Sequence, residues 1–255
     1  MSPLQLPAPT LVALLLAAIR ATAWLVLCPP FNSRAVPAPV KALIGIGIAL
    51  PVTPGLTGAL PELTAGRLLI CAGEQVLIGV ALGFITALLF AAVQAAGDLI
   101  DLFGGFSVAF AFDPLSMTGN SIFGRFYGLL ATTLLFVTNG HLLIMRGFTE
   151  SYRGLPLNQH LSLGTLDTVL TAGLVQLFVS ALQIAGPMIA VLFLADVGLG
   201  LLNRAAPALN AFSLGFPAKI MLTLSLAGLG MLLLPRSVSG LVDHAVRAVV
   251  GVAGS

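Results

Sequence analysis

Apolar side chains come in six runs, at residues 11–27, 42–52, 68–93, 122–145, 172–202 and 220–234, with Pro, Gly and charged residues in the connections. Each run predicts a membrane-inserted helix. Lipid offers no partner to backbone N–H and C=O groups, so an inserted segment must satisfy them itself, and the ten-residue alternation of a transmembrane barrel is missing. The pattern predicts an all-α integral membrane protein of about six long hydrophobic helical segments.

Run length changes this picture. A span takes about 20 residues; the second and last runs are shorter, and neither is expected to cross lipid. The third run carries Gly73, Glu74, Gln75, Gly79 and Gly83, and the fifth carries Gln183, Gly186, Pro187 and Asp196. Proline lacks the N–H that an inner helical position donates, and its ring crowds the preceding turn. A kink or break in the helix is therefore expected at Gly186-Pro187.

Composition agrees with a bilayer as solvent. At 58% hydrophobic and 8% charged residues, with a mean hydropathy of +1.08, there is too little polar surface to clothe a soluble globule. The net charge of +2 is scattered and makes no case for nucleic acid. Loops with Arg67, Arg146 and Arg153, and a tail with Arg236 and Arg247, are balanced by loops with Arg34, Lys41, Arg204 and Lys219, so charge sets no orientation. Short runs, interrupted helices and absent charge bias fit helices buried against other subunits better than a monomer surrounded by lipid. With no fixed repeat or soluble segment, residues 1–255 read as one membrane domain, with a distinctive loop at 102–120 and a polar tail at 235–255.

Residues 1–27 lack a basic leader, contain Arg20 and are followed by no small-residue cleavage site, so the first segment is expected to be retained. Cys28 and Cys71 lack the spacing of a metal site or disulfide framework and are expected to pack as small apolar groups.

Ionisable groups inside apolar runs are costly unless partnered, which singles out Arg20, Glu74, Arg125 and Asp196 as buried-charge candidates. Arg20 and Glu74 would meet if the first and third helices pack side by side, as a structural ion pair or in a protein-lined cavity. A proton relay is the alternative, and a proton-coupled transporter built on Glu74 and Asp196 is the competing function. Asp98 and Asp101 lie about 60° apart on one helical face. A pair of this kind can hold Mg²⁺ in a phosphotransferase, but no further carboxylate or phosphate clamp is near. An acid-bearing helix end, exposed or paired with another subunit, is the plainer expectation. His141, His160 and His244 are far apart and no Gly-x-Ser-x-Gly elbow occurs. No catalytic residue, metal ligand or cofactor site is assigned.

The most unusual stretch is LFGGFSVAFAFDPLSMTGN, residues 102–120. Gly104, Gly105, Asp113 and Pro114 oppose a continuous helix, while Phe106, Phe110 and Phe112 would be costly to leave in water. An irregular loop at membrane depth is tolerated only where protein or an aqueous cavity surrounds it. A plug or gate in a pore and an ordinary re-entrant packing loop both satisfy these constraints.

Taken in order, further motifs carry a resemblance. They are Cys28-Pro29-Pro30-Phe31 with Pro37 and Pro39-Val40-Lys41; Gly73-Glu74-Gln75-Val76-Leu77-Ile78-Gly79 with Gly83-Phe84; and Ala96-Gly97-Asp98 through Asp113-Pro114. Asn139-Gly140-His141, Glu150-Ser151-Tyr152 and Pro156 follow. The series ends on Ala185-Gly186-Pro187, Asp196, Gly198, Arg204, Ala206-Pro207, Asn210, Phe212, Gly215-Phe216-Pro217 and Lys219. In this order and spacing the chain resembles the FliR/SctT family of export-gate subunits in flagellar and virulence-associated type III secretion.

The resemblance implies a non-enzymatic subunit of a protein-export channel, present once per gate in the bacterial inner membrane within the flagellar basal body. It would wind as helical hairpins with FliP-type and FliQ-type subunits into a right-handed assembly raised toward the periplasm, beside FlhB-type and FlhA-type export proteins. Unfolded exported proteins would pass through it, driven by the proton motive force and an associated ATPase. Segments in such an assembly need not all cross lipid. The family's pore is closed by a loop whose matching positions are Gly104, Gly105, Phe106, Phe110, Phe112, Asp113 and Pro114. Flagellar use is favoured over a virulence system.

Overall fold

The computed structural model describes residues 7–33, 35–61, 63–106, 121–159, 162–206 and 211–253. Among them the regular structure is entirely helical, as the apolar runs predict. Helix α1 spans Ala8–Leu27, α2 Ala38–Ala49, α3 Ala65–Gly104, α4 Ile122–Val137, α5 Gly140–Gly154, α6 Leu163–Ala205 and α7 Ala211–Ala253, with two short 3₁₀ turns between α2 and α3.

Proline sets several boundaries. Pro7 and Pro37 stand at the N-caps of α1 and α2, each with another proline inside the first turn, where the missing N–H would have no helical partner anyway. Pro29-Pro30 follows the last turn of α1. Helix α3 contains no proline and runs for 40 residues, past the expected end of its apolar run, until Gly105 turns the chain with φ +85°. Only glycine enters that region without a side-chain penalty.

Three expectations are corrected. The fourth run is two helices, because the chain leaves α4 at Thr138 and Asn139 adopts a left-handed conformation, φ 58°, before α5 begins. The Gly186-Pro187 break is absent, since α6 continues through Pro187 for 43 residues. One proline removes one backbone bond, which a long membrane helix with intact bonds on both sides tolerates. The last run was expected to be too short to span and to give way to a polar tail. Instead α7 continues through Pro217 and Pro235 to Ala253. Its final turns bury Val238, Leu241, Val242, Ala245 and Val249, a spacing that draws an apolar stripe along one helical face.

Helices α1, α3, α6 and α7 are long and apolar enough to cross a membrane, and α4 with α5 qualifies as a pair. Helix α2, with 12 residues, rises about 18 Å, well under a hydrocarbon core of about 30 Å. Its shortness was legible in the run length.

The chain divides into two compact units. The first contains residues 1–89, 139–174 and 242–255. Its core is centred on Trp24, whose ring stacks on Phe148 at 4.4 Å between centroids and whose indole N–H faces the Thr86 hydroxyl at 3.4 Å. Helices α1 and α3 approach backbone to backbone, and a Cβ at Gly83 would lie 2.8 Å from the Trp24 carbonyl oxygen. Cys28 and Cys71 are buried free thiols, and burial pushes the Cys28 thiol up, which suits inert packing rather than reactivity.

The second unit contains residues 90–138 and 175–241. Here α4, α6 and α7 meet around Tyr127, whose hydroxyl faces the Met188 sulfur at 3.8 Å and lies 2.9 Å from where a Cβ on Gly230 would stand.

Candidate functional site at the stem of the central loop

The segment joining α3 to α4 was the sequence's most unusual stretch. Of its seven candidate residues, Gly104, Gly105 and Phe106 are described; Phe110, Phe112, Asp113 and Pro114 lie outside the described residues. The described residues form the stem on either side.

On the α4 side, Ser121 caps the helix, its Oγ accepting from the Gly124 N–H at 2.7 Å. The first N–H groups of a helix have no partner inside it, and side-chain oxygens stabilise them. Asp101, in the last turn of α3, supplies the second such oxygen: its Oδ2 accepts from the Phe123 N–H at 2.9 Å and from the Ser121 hydroxyl. Its side chain is buried, 3% exposed. A carboxylate is well placed there, against the positive end of the α4 dipole. One turn earlier Gly97 lets α3 rest directly on the backbone of Phe123 and Gly124.

On the α3 side, the Phe106 ring meets the Phe123 ring edge-on with centroids 5.4 Å apart. Phe216 lies 3.5 Å from where a Cβ on Gly105 would stand, and Thr223 lies 2.8 Å from that point on Gly104. The two ends of the loop are thus clasped together and seated on α7.

The paired-acid motif resolves differently from a metal site. Asp101 accepts from the first turn of α4, Asp98 is exposed with its carboxylate beside Gly124 of the same turn, and among the described residues no group of three or more His, Cys, Asp or Glu is arranged to hold a metal. Sequence reasoning missed Asp101 as a helix cap. The signal was present, since Ser121 immediately precedes an apolar run and so marks a helix start, but nothing in the sequence pairs it with an acid twenty positions earlier.

The four buried-charge candidates separate. Arg20 is fully buried. Its Nε donates to Gln75 Oε1 at 2.6 Å, and its terminal nitrogens donate to the carbonyls of Ser151 at 3.3 Å and Leu155 at 2.8 Å. The guanidinium lies 4.5 Å from the centre of the Tyr152 ring, while the Tyr152 hydroxyl donates to the Ala17 carbonyl at 2.7 Å. The polar side chain meeting Arg20 is therefore Gln75, next in sequence to the expected Glu74. Glu74 itself is half-buried. Arg125 and Asp196 are exposed on this chain, which corrects their place among buried charges. Asp196 forms an ion pair with Lys219, its two oxygens 2.7 and 2.9 Å from Nζ. Pairing across α6 and α7 is what makes an acid in an apolar run tolerable.

Arg20, Gln75 and Tyr152 bind three helices into one scaffold, and the Asp101 clasp holds a loop. Neither arrangement sets a nucleophile beside a base, as catalysis by these groups would require.

Comparison with known proteins gives the arrangement its context. A family model described as bacterial export proteins, family 1, matches residues 11–245. The chain belongs to this family. Among curated relatives of this export protein, the flagellar biosynthetic protein FliR of Pectobacterium carotovorum is 37% identical over 220 residues, covering 84% of this chain and 82% of the relative. FliR of Escherichia coli K12 is 33% identical over 208 residues, 82% of this chain and 80% of the relative. The surface presentation of antigens protein SpaR of Shigella flexneri is 30% identical over 151 residues, 59% of this chain and 58% of the relative. The motif resemblance in the sequence and the family match agree, and both extend over most of this export protein.

Proposed function

We propose that this chain is a structural and gating subunit of the flagellar type III protein-export channel in the bacterial inner membrane. It works without catalysis, assembling with FliP-type and FliQ-type gate subunits beside FlhB-type and FlhA-type proteins, in the basal body and raised toward the periplasm. The observation that carries this reading is similarity to FliR proteins over more than four-fifths of the chain. Surface character supports it: in the apolar windows of α6 and α7 only 28% and 17% of residues are buried within the chain, against 67% in α3. Apolar faces of that extent require lipid or neighbouring subunits.

Within the gate, the segment from Gly104 to Pro114 is the plug, with Phe106, Phe110 and Phe112 as blocking side chains. Closure by these residues needs an anchored stem, and the Asp101 and Ser121 contacts supply one. Deleting residues 107–114 is expected to raise ion leakage across the inner membrane by roughly tenfold or more per assembled gate, equivalent to losing about 1.4 kcal/mol of closure. Unchanged conductance at equal complex abundance would remove the plug role.

Membership of a virulence secretion system is the second reading, favoured by the similarity to SpaR. That match covers less of the chain at lower identity than the flagellar ones. Restoration of swimming in a flagellar-export-deficient bacterium by this chain supports flagellar use, whereas restoration of virulence-type secretion alone would reverse the choice.

A further inference from the structure

We infer that the Asp196–Lys219 pair on the surface of α6 and α7 is a docking point for a membrane helix of another subunit, one that seats a basic side chain on the Asp196 carboxylate; this rests on the subunit reading above. The two partners are not equally withdrawn. The Lys219 side chain is 16% exposed and that of Asp196 45% exposed, so the pair turns its negative member outward. Lys219 Nζ lies 2.7 and 2.9 Å from the two carboxylate oxygens, yet a carboxylate has about four lone-pair sites, and one ammonium leaves acceptors over. The neighbouring turns of α6 expose Phe193, Leu194 and Val197, which offer no donor.

Beside the pair, α6 and α7 leave a cavity of about 350 Å³, walled by Gly198, Leu199 and Leu202 of α6 and Ala218, Lys219 and Leu222 of α7. It opens at the surface, where Gly198, Leu202 and Ala218 are exposed, and nothing stands within 4 Å of where a Cβ on Gly198 would lie. Small residues at such a place let a second helix backbone come close. A lipid chain and a helix would both suit the apolar walls; the carboxylate decides between them. Asp196 lies about 14 Å along α6 from its last residue, Ala205, roughly half the depth of a hydrocarbon core of about 30 Å. If α6 were bathed in lipid with that end at the interface, the carboxylate would face acyl tails, which have no hydrogen-bond donor. Headgroup amines and phosphates stay at the interface. A helix from another subunit brings both an apolar side chain for the cavity and a cation for the carboxylate, and it leaves neither charge unpaired in an apolar setting.

The test exchanges the two charges. Asp196→Lys combined with Lys219→Asp keeps a pair between α6 and α7 but turns an ammonium outward, against an incoming side chain that is itself basic. A purely internal role is indifferent to the exchange; docking is not. In cells making the whole gate, the exchanged chain is expected to reach the membrane in wild-type amount while the other subunits copurifying per chain fall by about tenfold or more. Wild-type copurification with the exchanged chain overturns the docking point. If the exchanged chain does not accumulate, Asp196→Asn decides, because it keeps the shape and an acceptor for Lys219 and removes the outward charge. Copurification that then falls severalfold supports docking, and unchanged copurification overturns it. A photoreactive benzophenone side chain introduced at Leu202, on the cavity wall, identifies the occupant. A covalent adduct with a gate subunit, abolished by the charge exchange, supports the helix; an adduct with phospholipid alone, or none with protein, overturns it. The adduct formed by a chain that fails to restore swimming keeps the docking point and removes the flagellar reading, and restored swimming without the adduct does the reverse.

Discussion

Replacement of Arg20 by alanine is expected to destabilise the protein by about 4 kcal/mol, a loss large enough to deplete the assembled complex. The magnitude follows from what remains. Gln75, the Ser151 carbonyl and the Leu155 carbonyl each lose a donor, and a buried polar group left unsatisfied costs about 1–3 kcal/mol. The cavity adds to this, because Arg20 is among the largest fully buried side chains and its guanidinium covers the Tyr152 ring. Arg20→Lys keeps the charge but offers one nitrogen in place of a planar fork, and one ammonium does not reach three acceptors on two helices. It is expected to recover only part of the loss. The measurement is the thermal midpoint and yield of the detergent-extracted complex across Arg20, Arg20→Lys and Arg20→Ala. Equal midpoints for all three would show that the node contributes nothing.

The same node shows what the sequence discloses and where it stops. An arginine inside an apolar run had to find partners, and it did. Which partner depended on the rotation of α3 about its own axis. Glu74 and Gln75 are adjacent in sequence but about 100° apart around a helix, and that angle is fixed by how α3 packs on α1. The backbone approach at Gly83 sets it, and pairwise packing is not written in one helix alone. The two carbonyls are harder still to foresee, because they come from the last turn of α5 and the residue after it, where helix ends leave acceptors unused.

Helix type was legible because it depends on local bonding and run length; helix number was not, because the fourth run is two helices. Helix ends were only partly legible. Proline at 187 suggested a break on chemical grounds that hold for exposed helices, whereas α6 retains enough bonds on either side to continue. The apolar stripe from Val238 to Val249 was present in the sequence, hidden by Asp243, His244 and Arg247 between its members. An amphipathic turn reads as polar by composition and as helical by period. At the loop, α3 ends where Gly105 adopts the backbone conformation that other residues avoid. The acid that clasps it went unrecognised because Asp101 resembled half of a metal pair with Asp98. Only the fold brings both acids to the first turn of α4, Asp101 buried on the Phe123 N–H and Asp98 exposed beside Gly124.

Gly97→Ala, the smallest substitution available, is expected to act as severely at the loop stem. A Cβ on Gly97 would collide with the Phe123 carbonyl and lie 2.7 Å from the Gly124 Cα. These are backbone atoms in the first turn of α4, and no rotamer change relieves the collision. The helices must separate, and separation stretches the Asp101 bond to the Phe123 N–H, whose 2.9 Å length leaves little slack. Overpacking of this kind costs about 1–3 kcal/mol; loss of the clasp adds to it. The control is Gly186→Ala, where nothing stands within 4 Å of the new methyl. In that helical setting alanine is favoured by about 0.5–1 kcal/mol. The purified subunit should therefore lose thermal stability with Gly97→Ala and hold or gain it with Gly186→Ala. In the assembled gate, Gly97→Ala should also leak, since its primary damage falls on the stem. A gate that is less stable yet sealed would mean that the α3–α4 contact supports the fold without holding the plug. Equal behaviour of the two glycine variants would mean that the close approach of α3 to α4 is not a constraint on this protein at all.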